Sequence, residues 1–331
     1  MRKNRFLGVL LTLALVFSLA SPVFAAEFTL KVGTIVSETH PDYIVMSTVF
    51  KPLVETNSKG KIAVEIYPNG QLGADREMSE AVQLGTLEIC IPATAAVSGF
   101  DKRIQVLDLP YLFENEEQAF KALDGELGQK INSIFPEQGF VSLGYPQNGF
   151  RHVTNNAKPI FKPEDLKGLK IRTMEIPAHV DFFRSVGANP TPMSWGELYT
   201  AMQQGTVDGE ENPLEMIYDG KFYEVQKYAS LTGHFYSATV LLTSKVFLDK
   251  LPEDLRKVVE NAARMFVLGQ RDMIMSLEQG RLEFLKSKGM QVNELSREEK
   301  LAFKHAADPL YDKYESVVGK EIMDVAREIR K

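Results

Sequence analysis

Hydrophobic and polar positions alternate from Phe28 onward: Phe28, Leu30 and Val32 interleave with Thr29 and Lys31, the period-two pattern of a half-buried strand. Ile44, Val45, Val49, Phe50, Leu53 and Val54 then recur at helical spacing over residues 41–55, and Lys59-Gly60 ends that helix. Ile62, Val64 and Ile66 alternate again until Pro68, Asn69 and Gly70 stop the strand. A second helix is predicted over 74–84, closed by Gly85, and Leu87 to Ala93 is apolar enough for a buried strand. Strands alternating with helices predict an α/β lobe with a mainly parallel sheet.

After Tyr111-Leu112-Phe113 the pattern is helical over 116–123 and 126–134, and Val141 to Gly144 reads as a strand. Gly149 to Pro163 reads as a loop-rich passage, beyond which a strand at Leu169 to Thr173 and a helix at about 177–186 start a second lobe, its boundary near residue 149. Ser194-Trp195-Gly196-Glu197 has the form of a capping box, in which the serine accepts from backbone N–H groups and the glutamate returns the bond. It opens a helix that Gly205 terminates. From Pro252 to about Lys288, Leu255, Val258, Val259, Ala262, Phe266, Ile274, Leu277 and Phe284 recur at three- and four-residue steps. A helix of ~35 residues is ~50 Å long, more than one lobe, so it is expected to cross both; two helices meeting near Gly269 are the alternative.

The first residues follow a different rule. Arg2, Lys3 and Arg5 precede an uncharged run from Gly8 to Ala20, and Val23-Phe24-Ala25 offers small residues for cleavage ahead of Ala26. This is the layout of a secretory signal peptide over 1–25, with a periplasmic mature chain. Its removal leaves 306 residues and takes the net charge from −6 to −9. An acidic surface argues against nucleic acid as a partner. No later uncharged stretch approaches the ~20 residues of a membrane span, so no direct membrane insertion is expected. Cys90 is the only cysteine, which forbids an intrachain disulfide and suits a buried free thiol.

Candidate chemistry gathers in the second lobe. Arg172 lies near the carboxyl end of a predicted strand, where ligands of open α/β sheets sit, and its planar fork can hold a carboxylate by two parallel bonds. Arg151, after Gly149-Phe150, is a second candidate at the lobe boundary, and the polar turn Asp208 to Pro213 is placed to reach the same cleft.

Leu166-Lys167-Gly168-Leu169-Lys170-Ile171-Arg172 resembles the carboxylate-binding segment of the extracytoplasmic solute-binding proteins of tripartite ATP-independent periplasmic (TRAP) transporters, the DctP family. Gly187 to Met193 and Ala201 to Pro213 continue the resemblance in register. His40-Pro41, Pro68 to Gly73, Gly85 to Glu88, Pro110 to Phe113, Gly149-Phe150-Arg151 and Glu224 to Tyr228 also fit it. It covers essentially residues 28–290, and the order and spacing of the fragments make it specific.

The resemblance implies an α/β, two-lobed periplasmic binding protein fold (type II-like), with an interlobe cleft and a long helix spanning both lobes. Lobe I is expected over 26–148 plus about 237–275, and lobe II over 149–236 plus about 276–331. Arg172 is expected to clamp the ligand carboxylate, Arg151 to assist it, and Asn212 to hydrogen-bond the ligand. His40 and Glu77 fall in first-lobe regions that vary with substrate; Glu77 would accept from ligand hydroxyls, or else face solvent on its helix. Phe235, Tyr236 and Trp195 are candidates for the cleft wall, with core packing the better expectation for Trp195. Glu210 stands where many relatives have glutamine, adding a negative charge near an anionic ligand.

The implied function is capture of a small organic acid, a sugar acid such as a uronate or aldonate or a C4-dicarboxylate, by a monomer that delivers it to a TRAP permease of small and large membrane subunits. No cofactor is expected. An exported hydrolase lacks support, because no Gly-x-Ser-x-Gly elbow occurs. The histidines His40, His152, His179, His234 and His305 show no metal-binding spacing, and adjacent Glu210 and Glu211 would point to opposite faces of an extended chain. The ligand-binding component of a periplasmic sensor system remains an alternative.

Overall fold

The computed structural model describes residues 26–331. The expected signal peptide lies outside them. Among the described residues no helix is long and apolar enough to cross a membrane. The first lobe is built on a five-stranded sheet. β1 (Phe28–Gly33) lies between β2 (Ile62–Tyr67) and β3 (Ile89–Cys90), parallel to both, and β10 (Leu242–Ser244) pairs antiparallel with β3 and with β4 (Phe140–Ser142). The alternation read in β1 and β2 is the burial seen: Leu30, Val32, Ile62 and Val64 are inaccessible and face Phe50, Val54 and Phe266 in one core. The helix expected over 41–55 runs from Pro41 to Asn57, with its middle, Met46–Phe50, wound as a π-helix.

The second lobe carries a six-stranded sheet in the order β11 (Gln291–Glu294), β9 (Tyr228–Ala238), β5 (Gln147–Asn155), β8 (Gly209–Asn212), β6 (Lys170–Thr173) and β7 (Asn189–Pro192). β5 corrects the expectation of a loop-rich passage from Gly149. The strand was hidden because both of its faces are buried and both carry polar groups: Arg151, His152, Thr154 and Asn155 all lie inside, so no apolar alternation marks it. β5 and β9 pair from Gln147↔Ala238 to Asn155↔Tyr228, and these two strands carry the chain out of the first lobe and back.

The third crossing is the long helix, unbroken from Glu253 to Ser287. Gly269 does not divide it; a Cβ there would stand 3.2 Å from Val45 Cγ1, so glycine allows close packing on the first lobe. Val259, Ala262 and Phe266 belong to the first-lobe core, and Leu282 and Leu285 to a second-lobe core with Leu198, Ile217 and Phe222. The chain beyond about 276, expected with the second lobe, makes contacts to both lobes. Tyr311 donates to Pro110 O at 3.0 Å, and Gln118 of the first lobe donates to Ile329 O at 2.7 Å. The apolar faces of the last two helices, including Phe303, Tyr311 and Met323, pack into a core shared by both lobes.

Where the crossings meet, the long helix is tied to β5 by one side chain. Gln270 accepts from Gln147 N at 2.9 Å and donates to Gln147 O at 2.6 Å and to Asp42 Oδ1 at 2.7 Å. All three groups are buried, so losing the amide orphans each of them, at about 1–3 kcal/mol per group. Gln270→Ala is therefore expected to destabilise the protein by roughly 3–5 kcal/mol in chemical denaturation; a loss below about 1 kcal/mol would show that the junction does not depend on this amide.

Candidate functional site

A cavity of about 320 Å³ lies between the lobes. The first lobe contributes Asp75, Glu77 and Ala93, and the second Arg151, Arg172, Asn212 and Trp195. The lobes also touch directly: Ser37 N donates to Asp219 Oδ2 at 3.2 Å, and the Ser37 hydroxyl also donates to that carboxylate. A larger groove of about 870 Å³, bordered by Met275, His152 and Lys300, offers no comparable set of converging buried charges.

The two arginines that the sequence singled out meet at this cavity in different electrical states. Arg172 ends β6 with its side chain 3% exposed. Nε and Nη2 both donate to the carbonyl of Met193, at 2.9 and 2.7 Å, and Nη1 makes no hydrogen bond. No carboxylate is ion-paired to it among the described residues. Burial, with Arg151 close by, lowers its pKa to about 10, the direction expected of a cation deprived of water and of a counter-ion. Arg151 is already satisfied. Its Nε and Nη2 hold Glu211 in a fork at 2.5 and 2.8 Å, and Nη1 reaches Ser237 Oγ at 3.4 Å.

Glu211 is also the hub of a buried histidine pair. His234 Nε2 lies 3.2 Å from it, and His179 stands between Glu211 at 3.6 Å and Asp108 at 3.4 Å. Burial alone would raise the Glu211 pKa, but Arg151 and the two histidines hold it well below the carboxylate range. Glu210 points the other way, as adjacent residues of a strand must. It accepts from Thr154 Oγ1 and from Asn212 Nδ2, each at 2.5 Å, and burial pushes its pKa up to about 7. The extra charge expected at this position is thus only partly present near neutrality, and Glu210 holds the amide of Asn212 at the cavity wall.

The other sequence candidates are placed unevenly. Glu77 lines the cavity, but its Oε2 accepts from Ala74 N at 2.5 Å, capping its own helix, Asp75–Leu84. His40 is fully buried, outside the cavity lining; its Nδ1 accepts from Asp42 N at 3.1 Å at the start of a helix. Phe235 and Tyr236 do not form the cleft wall. Phe235 stacks on His179 with centroids 3.9 Å apart, and Tyr236 packs edge-on to Phe113 and Phe150. Both lie on β9 beneath the site, where burial takes their apolar surface. Trp195, expected in the core, is half-buried and lines the cavity while packing on Phe222. Ser194 makes no backbone cap; its hydroxyl donates to Glu197 at 3.1 Å. Asp75 was missed. It opens the helix on which Glu77 sits, its Oδ2 accepts from Ala93 N at 3.3 Å, and Oδ1 is shielded without a partner. Burial pushes its carboxyl up to about 7.

Residues 32–317 match the profile of the bacterial extracellular solute-binding protein family 7, DctP. A solute-binding protein of Verminephrobacter eiseniae is 37% identical over 303 residues, 92% of this chain and 90% of that protein. The sugar acid binding protein of Advenella mimigardefordensis, crystallised with galactonate, superposes with a TM-score of 0.88 at 34% identity, covering 92% of this chain and 100% of that one. A TRAP periplasmic solute-binding protein of Sulfurospirillum deleyianum with bound succinate gives 0.87 at 33% identity, with 92% and 99% covered. A two-lobed α/β binding protein is thus the class that fold and cleft define, and the chain belongs to the DctP family of extracytoplasmic solute-binding proteins, which bind small organic acids, work with TRAP permeases and are not enzymes.

Glu210 yields a pH-dependent prediction. Its folded pKa of about 7 exceeds the ordinary 4.5, so the folded state holds the proton more tightly than the unfolded one. The stabilisation is complete below about 4.5 and is lost as pH rises through about 7. Glu210→Gln keeps the shape without the titration. The variant is expected to equal the wild type near pH 4.5 and to be about 2–3 kcal/mol more stable at pH 8. Urea melts of both proteins at the two pH values check this; a difference independent of pH would contradict it.

Proposed function

We propose that this protein captures a small organic acid, a sugar acid or a C4-dicarboxylate, in the interlobe cavity, and that the Arg172 guanidinium clamps the ligand carboxylate. The observation that carries this reading is the buried arginine with no acidic partner beside Arg151, whose own charge Glu211 already balances. A dry guanidinium lacking a counter-ion is costly, and an incoming carboxylate relieves that cost through charge-assisted hydrogen bonds. Asn212, held by Glu210, supplies a neutral hydrogen-bonding group at the same wall. Arg151 assists by positioning β5 and by its field, since its fork is engaged.

Because the cavity takes walls from both lobes, a ligand bridging them stabilises the closed arrangement over the open one. The Ser37–Asp219 contact between the lobes supports a closed form in which the anion is shielded. The closed complex would dock on a TRAP permease and release the anion on reopening. Similarity to a galactonate-bound and to a succinate-bound protein supports both ligand classes at this level.

Arg172→Ala is expected to weaken binding by roughly 2–5 kcal/mol, about 30- to 5,000-fold, and Arg172→Lys by less, because one point donor cannot reproduce the fork. Calorimetric titration with the acid that most raises the thermal melting point is the check. Near-wild-type affinity of the alanine variant would remove Arg172 from the site.

A further inference from the structure

The lining of the cavity is electrically lopsided. Three arginines border it, but Arg76 is engaged by Glu80 at 3.1 Å and Arg151 by the Glu211 fork. Arg76 gives only its Nε to Glu80 and is mostly exposed, so Arg172 is the one buried cation of the lining without a carboxylate partner among the described residues. Against it stand four carboxylates, Asp75, Glu77, Glu175 and Glu197, none of them ion-paired among the described residues. A ligand with one carboxylate on Arg172 therefore extends into a space walled by acceptors. A second carboxylate there would meet like charge with no buried cation to receive it, at a cost that grows as water is excluded. Hydroxyl groups would instead find the acceptors they need.

Among those acceptors Asp75 is distinctive. Glu77 is occupied in capping its helix, and Glu197 receives the Ser194 hydroxyl. Asp75 is fixed through Oδ2 by the backbone of Ala93, whereas Oδ1 is withdrawn from solvent and bonded to nothing. A shielded carboxylate oxygen without a donor is a standing cost that a ligand hydroxyl removes.

We infer that this cavity selects polyhydroxylated monocarboxylates, aldonates or uronates, over C4-dicarboxylates, and that Asp75 is the residue that sets this preference by accepting from a ligand hydroxyl. The inference rests on Arg172 holding the ligand carboxylate. Above its pKa of about 7 Asp75 is an ionised, fixed acceptor on the first lobe while the anchor lies on the second, so a hydroxy acid then connects the lobes with opposite charges at its two ends. A dicarboxylate of the same length reverses the sign at one end.

The test is calorimetric titration at pH 8, where Asp75 is mostly ionised, of wild type, Asp75→Asn and Arg172→Ala with D-galactonate, D-gluconate, D-galacturonate, D-erythronate and succinate. The asparagine oxygen still accepts from Ala93, so the helix start is retained, and a thermal melt of the variant verifies the fold. Wild type is expected to bind at least one of the four hydroxy acids ten or more times tighter than succinate. Asp75→Asn should weaken that ligand about 10- to 100-fold, the size of a lost charged hydrogen bond, while succinate binding stays constant or tightens. Succinate binding as well as or better than every hydroxy acid in wild type, or binding of none of the four, overturns the inference, as does an equal loss for both classes in Asp75→Asn. Retained binding in Arg172→Ala would instead overturn the carboxylate clamp itself, which separates the two failures.

Discussion

A guanidinium buried without a counter-ion governs how the cleft is put together. Arg172 is almost wholly withdrawn from water, yet among the described residues its only hydrogen bonds are to the neutral carbonyl of Met193. A protein carrying such a charge tolerates it only if another group relieves it in the working state. The surroundings leave that task open. Arg151, a neighbour on the same sheet, is given a bidentate carboxylate, and that carboxylate is in turn held by His179 and His234. One arginine is built into the fold; the other is the one proposed to take the ligand.

The architecture places this charge in a cavity walled by both lobes. β6 and β8, side by side in the second-lobe sheet, bring Arg172 and Asn212 to one wall. The first lobe brings the start of the helix Asp75–Leu84 to the opposite wall. β5, β9 and the long helix join the lobes, and Gln270 fastens the helix to the start of β5. The C-terminal helices return to the first lobe, so the joint is braced from two sides. Family membership and the role of a solute-binding protein follow from the chain's match to the DctP family.

What could be read from the amino-acid order was what periodicity and composition encode. β1 and β2 alternate cleanly because one face of each meets the first-lobe core, and the long helix shows its apolar steps because both lobes pack on it. Arg172, Arg151 and Asn212 were legible through their motif and do line one cavity. β5 was not legible, since its buried polar side chains are paired by residues some sixty positions away, Arg151 with Glu211 and Thr154 with Glu210. Phe235 and Tyr236 were misplaced because adjacency to a cleft strand does not say which face an aromatic ring takes. Asp75 escaped notice because helix-start aspartates are common; its chemistry depends on Ala93 and on Arg172 across the cavity, contacts that no local pattern records.

The most direct measurement is a crystal structure of the protein with a bound organic acid. A ligand carboxylate is predicted to lie within about 2.7–3.2 Å of the Arg172 guanidinium nitrogens, with Arg151 still forked onto Glu211. A ligand whose carboxylate is held elsewhere, with Arg172 still bonded only to Met193, would contradict the account.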